Sequence, residues 1–180
     1  MSEQKDRPMS NIHFKFMSFG YIWRDRFKDP RKALRQAGIE EGQTVLDYGC
    51  GPGGYAIPAA LMVGERGKVY ALDIHPLAIE AVEKKARKKG LYNIITILSD
   101  RDTGLTDESV DVILLYDIIH MIGDKRALLE ELHRVLKPDG FLSASDHHLK
   151  AAKTSEIVEE TGLFSLRDQD KGLLNFKKSL

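Results

Sequence analysis

The chain has one cysteine, Cys50, among 180 residues. That excludes an internal disulfide and any metal site built from several thiolates. It also fits a reducing compartment, so a cytoplasmic protein is expected. An excess of one charge is missing as well: 27 Lys and Arg face 27 Asp and Glu, a formal net charge of zero. A nucleic-acid-binding domain would cluster a basic excess on one face, so no nucleic-acid partner is expected. No stretch approaches eighteen uninterrupted apolar residues, and the polar start MSEQKDRPMS lacks the shape of a signal peptide. Stable membrane insertion is therefore not expected. Repeats and low-complexity segments are absent too. What is left is one ordinary domain, long enough to bury most of the apolar surface its unfolded chain would expose.

From Thr44 onward, apolar and partly β-branched runs recur: "TVLDYGC", "KVYALDI", "NIITILSD", "VDVILLYDII" and "GFLSASDHH". Helical patterns lie between them, and this alternation predicts an α/β domain with a largely parallel sheet. After Asp73, Pro76 suits a first helical position, and Ile79, Val82 and Ala86 form an apolar stripe. Glu80 with Lys84 and Glu83 with Arg87 are supportive i,i+4 pairs, and Gly90 ends the helix. Its basic run "EKKARKKG" reads as a solvated face that favours the C-terminal dipole. A second helix is expected from about Asp124 to Leu136, followed by a turn at "KPDG", and a last one around residues 151–161. "LFSLRDQDKGLLNFKKS" then reads as two short strands joined near Lys171-Gly172. Residues 1–30 form an aromatic-rich lead-in, and residues 31–180 the main domain. Within the lead-in, Ile12, Phe16, Phe19, Trp23 and Phe27 fall on one helical face. A lid over a pocket, a flank packed on the sheet and an interfacial helix all fit that stripe.

"VLDYGCGPGGY", residues 45–55, contains G-x-G-x-x-G, the spacing of a dinucleotide fingerprint. Gly49, Gly51 and Gly53 let the chain turn tightly and bring backbone N–H groups against a ligand. Asp47 sits where a pyrophosphate would be repelled and an ammonium attracted. A ligand with a carboxylate for the N–H groups and an ammonium for Asp47 is an amino acid. Asp73, closing the next strand, is placed for both hydroxyls of a ribose. Asp100, closing the third, can receive the exocyclic amine of adenine. Amino acid, ribose and adenine together describe S-adenosylmethionine. Taken singly, Asp73 also reads as a helix cap and Asp100 as a turn residue. Cys50, at the free position within G-x-G, reads as a small buried filler.

The segments "VLDYGCGPGGY", "VYALDIHPLAI", "ILSDRDTGL", "SVDVILLYDIIHMI" and "LHRVLKPDGFL" resemble, in order and spacing, the successive motifs of class I S-adenosylmethionine-dependent methyltransferases. The likeness runs from about Thr44 to Phe141 and is nearest the small-molecule branch of the ubiquinone/menaquinone-biosynthesis type. It implies a three-layer, Rossmann-like sheet of seven strands, mostly parallel with an antiparallel terminal strand, and helices on both faces. It implies S-adenosylmethionine as cofactor and S-adenosylhomocysteine as product. Carried over by position, Asp47, Gly49, Gly51 and Gly53 belong to the methionine end, Asp73 to the ribose, and Ile74 and Asp100 to the adenine. Arg101 replaces a residue that is commonly small, and Tyr116 stands where the fourth strand's end faces the methionine moiety. His120 aligns with a histidine frequent after the fourth strand of this branch.

Methyl transfer from a sulfonium is an in-line displacement, so positioning does most of the work. A thiolate or carbanion acceptor needs no general base, whereas a hydroxyl or amine usually does. Asp117, His120, Asp146, His147 and His148 are the candidates near strands four and five, with His120 and Asp117 taken as catalytic. A hydrogen-bonded structural role for His120 remains open. His147 and His148 would face opposite ways if the strand continued, and no metal is expected. The "(D/N)PP(Y/F)" motif of amino-group methylation is missing, as are the cysteines of an arsenite methyltransferase. A small-molecule acceptor remains. The rivals are an NAD-binding oxidoreductase and a non-catalytic interaction protein that keeps the cofactor site.

Overall fold

The computed structural model describes Ser10 and residues 29–179; the aromatic stripe from Ile12 to Phe27 lies outside the described residues. Strands β1 (Thr44–Tyr48), β2 (Lys68–Asp73), β3 (Ile94–Leu98), β4 (Val110–Tyr116) and β5 (Leu136–Ser145) run parallel. With β6 (Phe164–Asp170) and β7 (Leu173–Lys178) they form one seven-stranded sheet, ordered β3-β2-β1-β4-β5-β7-β6. β7 is antiparallel to both β5 and β6, so it alone runs against the others. The expected Rossmann-like architecture is what forms.

The near-continuous apolar strands make sense because helices cover both faces. On one face lie α1 (Pro30–Gln36), α2 (Ala56–Val63) and α3 (Pro76–Lys89), packing Leu34, Ala59, Val63 and Val82 against Val45, Val69, Val112 and Leu114. On the other, α4 (Lys125–Val135) and α5 (Ala151–Glu159) bring Leu128, Leu132 and Val158 against Leu46, Leu72, Ile113 and Leu115. Local chemistry sets the helix ends. The Asp29 side chain accepts from Arg31 N at 3.0 Å before Pro30 opens α1, and Asp124 accepts from Ala127 N at 3.0 Å at the start of α4. Gly90 takes a left-handed conformation after α3, and Leu91 N reaches back to Ala86 O. The buried stripe of α3 is Ala78, Val82 and Ala86, with Ile79 only half-buried.

One segment differs in detail from expectation, and the terminal hairpin forms where it was expected. "KPDG" makes no separate turn but lies inside β5. From Val110 to Val112 the β4 side advances two residues while β5 advances from Leu136 to Phe141, so Lys137–Gly140 bulge out of the ladder. Lys137 Nζ is held at 2.7 Å by Asp111, which also accepts Thr44 N at 2.8 Å. The terminal hairpin closes through Lys171 and Gly172 with φ of 47° and 88°, the two positive values of a tight hairpin turn whose twist suits the strands.

The strand order reverses direction between β1 and β4. In open α/β sheets the ligand crevice lies at such a switch point, outside the carboxyl ends of the strands. The residues that end β1, β2, β4 and β5 therefore determine the site.

Candidate functional site

Strand alternation puts Asp47, Asp73 and Tyr116 on the α1–α3 side of the sheet. Asp47 is only 2% exposed, and its Oδ2 is fully buried with no hydrogen-bond partner among the described residues. Burial pushes its pKa up to about 7, and nearby Asp73 adds to the rise, while the Ala56 amide that opens α2 opposes it. A buried carboxylate oxygen with no partner is costly, and a cation placed against it relieves that cost.

The glycine turn behaves differently from expectation. Its amides do not form a free cradle. Gly49 N and Cys50 N both donate to Leu72 O, Gly51 N donates to Asp73 Oδ2 at 2.8 Å, and Gly53 N donates to Cys50 O. The turn leaves β1 beside the parallel strand β2, whose carboxyl end draws those donors in. What the glycines supply is room. Gly49 has φ +75°, and a Cβ there would meet Ile118 at 2.9 Å; Gly51 has φ +49°, and a Cβ there would meet none of the described residues. Gly53 serves packing, since a Cβ would press on Val82 and Ile57.

Asp73 is 9% exposed, and both its oxygens are engaged: Oδ2 by Gly51 N and Oδ1 by His75 N, each at 2.8 Å. It does not cap α3. His75 does, its Nδ1 accepting from Leu77 N. Burial raises the Asp73 pKa, against the lowering effect of its backbone donors. A carboxylate has about four lone-pair positions, so two backbone donors leave it able to accept two hydroxyls. Ile74 follows it, half-buried.

Asp100 lies exposed past the end of β3, and its backbone oxygen accepts from the Tyr48 hydroxyl at 2.8 Å. Arg101 reaches Asp124 at 3.8 Å, and these residues with Ile122 and Leu128 line a small cavity of about 50 Å³. Tyr116 is 6% exposed. Its hydroxyl pairs with Ser143 Oγ at 2.9 Å, and its ring meets Tyr55 edge-on, centroids 4.7 Å apart. Burial raises its phenol well above the ordinary tyrosine range. Burial likewise pushes the Cys50 thiol up, with Asp47 and Asp73 adding to it, as suits a packing residue.

Beyond β4 and β5 four of the five candidates form two carboxylate–histidine pairs, and the ring of the fifth, His148, lies against both histidines. His120, in the 3₁₀ turn Ile119–Met121, has Nδ1 2.7 Å from Asp146 Oδ2. His147 Nδ1 is 2.7 Å from Asp117 Oδ1, which also accepts His147 N at 3.0 Å. His147 and His148 do not diverge. β5 ends at Ser145, so strand alternation no longer applies, and their rings lie 3.9 Å apart. Asp117 adopts φ 55°, unusual for a residue with a side chain, while its carboxylate holds the β5 turn. Among the described residues no three His, Cys, Asp or Glu side chains could hold a metal.

A methyltransferase-domain family matches residues 39–172. The chain belongs to that family. Its members' methyl donor is S-adenosylmethionine, whose ammonium and ribose fit the partnerless oxygen of Asp47 and the remaining lone pairs of Asp73. A structure of an S-adenosylmethionine-dependent methyltransferase from Aquifex aeolicus superposes with TM-score 0.76 at 30% identity, covering 84% of this chain and 90% of that one. The demethylmenaquinone methyltransferase of Geobacillus stearothermophilus is 30% identical over 141 residues, 77% of this chain and 60% of its own length. The ubiquinone/menaquinone biosynthesis C-methyltransferase UbiE of Pectobacterium carotovorum is 32% identical over 130 residues, 70% of this chain and 49% of its own length. This methyltransferase-family chain thus spans about half to three-fifths of these curated relatives. Sequence reasoning missed Ile118, Tyr55 and Ser143, which bound the site by packing and carry no spacing signal. His75 had a signal, since a polar residue before Pro76 suits a cap.

Proposed function

We propose that this protein transfers the methyl group of S-adenosylmethionine to a small-molecule acceptor, with quinone-related rings as the first class to try. The buried, partnerless Asp47 oxygen beside the Gly51 opening carries the proposal: it calls for a cation in a place that a dinucleotide would fill with phosphate. In this reading Asp47 holds the ammonium and Gly51 gives clearance to the methionine end. Tyr116 and Gly49 form the floor below, and Gly53 keeps the turn seated on α3. Asp73 takes the ribose hydroxyls, while Ile74, Asp100 and Arg101 border the adenine. When bound, the cofactor supplies an electrophilic methyl on a sulfonium. The chain's part is to align donor and acceptor, and alignment of this kind supplies on the order of 7–11 kcal/mol.

The acceptor class is supported by the printed activities of the two quinone-biosynthesis relatives. No helix among the described residues is long and apolar enough to cross a membrane; with the single cysteine, we propose a cytoplasmic setting. The test is calorimetric titration with S-adenosylhomocysteine and with NAD, followed by a screen of acceptors with isotope-labelled S-adenosylmethionine. Binding of the first ligand and label on a small molecule are expected. Tight NAD binding without S-adenosylhomocysteine binding would replace the reading with an oxidoreductase, and cofactor binding without any labelled product would favour an interaction protein.

A further inference from the structure

The Asp146 side chain is wholly buried, yet it accepts three hydrogen bonds: from the His120 ring at 2.7 Å, from His120 N at 3.2 Å and from His148 N at 2.9 Å. An ionised carboxylate only accepts, so the 2.7 Å contact places a proton on His120 Nδ1. In a neutral ring that leaves the lone pair on Nε2, which has no hydrogen-bond partner among the described residues. The ring is held from a second side by His148, centroids 4.2 Å apart, and its side chain is 22% exposed. His120 follows Ile118 by two residues, and Ile118 packs on the Gly49 turn. A clamped imidazole with an available acceptor nitrogen therefore stands beside the crevice. His147, by contrast, is about half-exposed, and its carboxylate partner also supports the turn backbone.

Resting on the methyltransferase reading above, we infer that His120 takes a proton from the methyl acceptor, that Asp146 is its positioning residue, and that the acceptor is a phenol or enol rather than a ready anion such as a thiolate. His120 Nε2 removes the hydroxyl proton. The electron pair left on oxygen, or on the conjugated carbon beside it, forms the new bond to the methyl carbon, and the carbon–sulfur pair passes to sulfur, which becomes a neutral thioether. A carbon methylated in this way then releases its ring proton to water while the oxygen regains one. The imidazolium, balanced by Asp146, returns its proton to solvent. Among the described residues, the titratable groups facing His120 are Asp146 and His148, with His147 and Asp117 behind them.

The first test needs no turnover. In the full-length protein carrying ¹⁵N-histidine, with and without S-adenosylhomocysteine, His120 should show a protonated Nδ1 and an unprotonated Nε2. Asp146→Ala, which removes the acceptor from Nδ1, should shift the ring toward the Nε2-protonated tautomer that a free imidazole side chain favours. His147→Ala should leave the His120 signals alone, and His120→Gln assigns them. A wild-type ring protonated at Nε2, or a tautomer indifferent to Asp146→Ala, overturns the inference. In the second test, label transfer to catechol is compared with transfer to dithiothreitol. His120→Gln should lower catechol methylation about 10²–10⁴-fold, leaving thiol methylation and S-adenosylhomocysteine affinity in place. Equal losses on both acceptors, or none on catechol, overturn the inference while the methyltransferase reading stands. Failure of the wild type to bind S-adenosylhomocysteine would instead strike that reading.

Discussion

Asp47 gives the cofactor site a pH dependence with a definite sign. Its folded pKa of about 7 means that half the molecules carry the carboxylate at neutral pH. A ligand whose ammonium needs that charge binds only the ionised fraction. Apparent affinity should therefore fall about tenfold per pH unit below 7 and level off above it, about 1.4 kcal/mol per decade. Binding at pH 7 should release about half a proton, which calorimetry reads as a heat that changes with the ionisation enthalpy of the buffer. Asp47→Asn should flatten the profile and abolish the proton release, and 5′-methylthioadenosine, which lacks the amino-acid end, should show neither effect in the wild type. Constant S-adenosylhomocysteine affinity between pH 5.5 and 8, with no linked proton, would refute the assignment of Asp47 to an ammonium.

The same group acts on folding. An unfolded chain loses this proton near pH 3.8, so between there and 7 the folded state binds more protons than the unfolded one. Stability must then fall as pH rises through that window, by roughly 4 kcal/mol across it. The ligand-free Asp47→Asn variant should accordingly gain stability over wild type at pH 8 and little at pH 4, read by urea unfolding at both values.

Three further outcomes are expected. Gly49→Ala forces a Cβ within 2.9 Å of Ile118 at φ +75° and should lower thermal stability, whereas Gly51→Ala, strained by its φ of +49° but meeting none of the described side chains, should lose less stability and lose more of its S-adenosylhomocysteine affinity; melting and titration of both variants separate the two. Asp73→Ala removes the acceptor for Gly51 N and His75 N, so it should lose stability as well as cofactor affinity, and a 2′-deoxyribose analogue should show a smaller penalty in this variant than in wild type. Lys171 sits at φ 47° in the hairpin turn; Lys171→Asn, better suited to that conformation, should stabilise by about 0.5–1 kcal/mol, measured as a shift in the urea midpoint.

The fold was readable wherever a local rule and the global pattern agreed. The apolar runs ending in Asp47, Asp73 and Tyr116 are strands because both their faces are buried, and Pro76, Gly90 and Lys171-Gly172 punctuate the chain by backbone geometry alone. The bulge at Lys137–Gly140 was not readable, since a Pro-Asp-Gly sequence has the same local preference in a turn as in a strand interruption; Asp111, far away in sequence, decides by anchoring Lys137 and the start of β1. The site divides in the same way. That Asp47 is an unusual acid beside the glycines follows from sequence, because charge and spacing are written in the letters. That the glycine amides turn inward does not, because their partner is Leu72 O on a neighbouring strand. The histidines are the sharpest case. Read as a continued strand, His147 and His148 diverge; once β5 stops at Ser145, Asp117 and Asp146 gather all three rings into tilted contact. Two carboxylates, each accepting backbone and imidazole donors together, fix loop shape and ring orientation with the same atoms. Loop folding and the orientation of His120 are therefore coupled, and a substitution at Asp146 must disturb both.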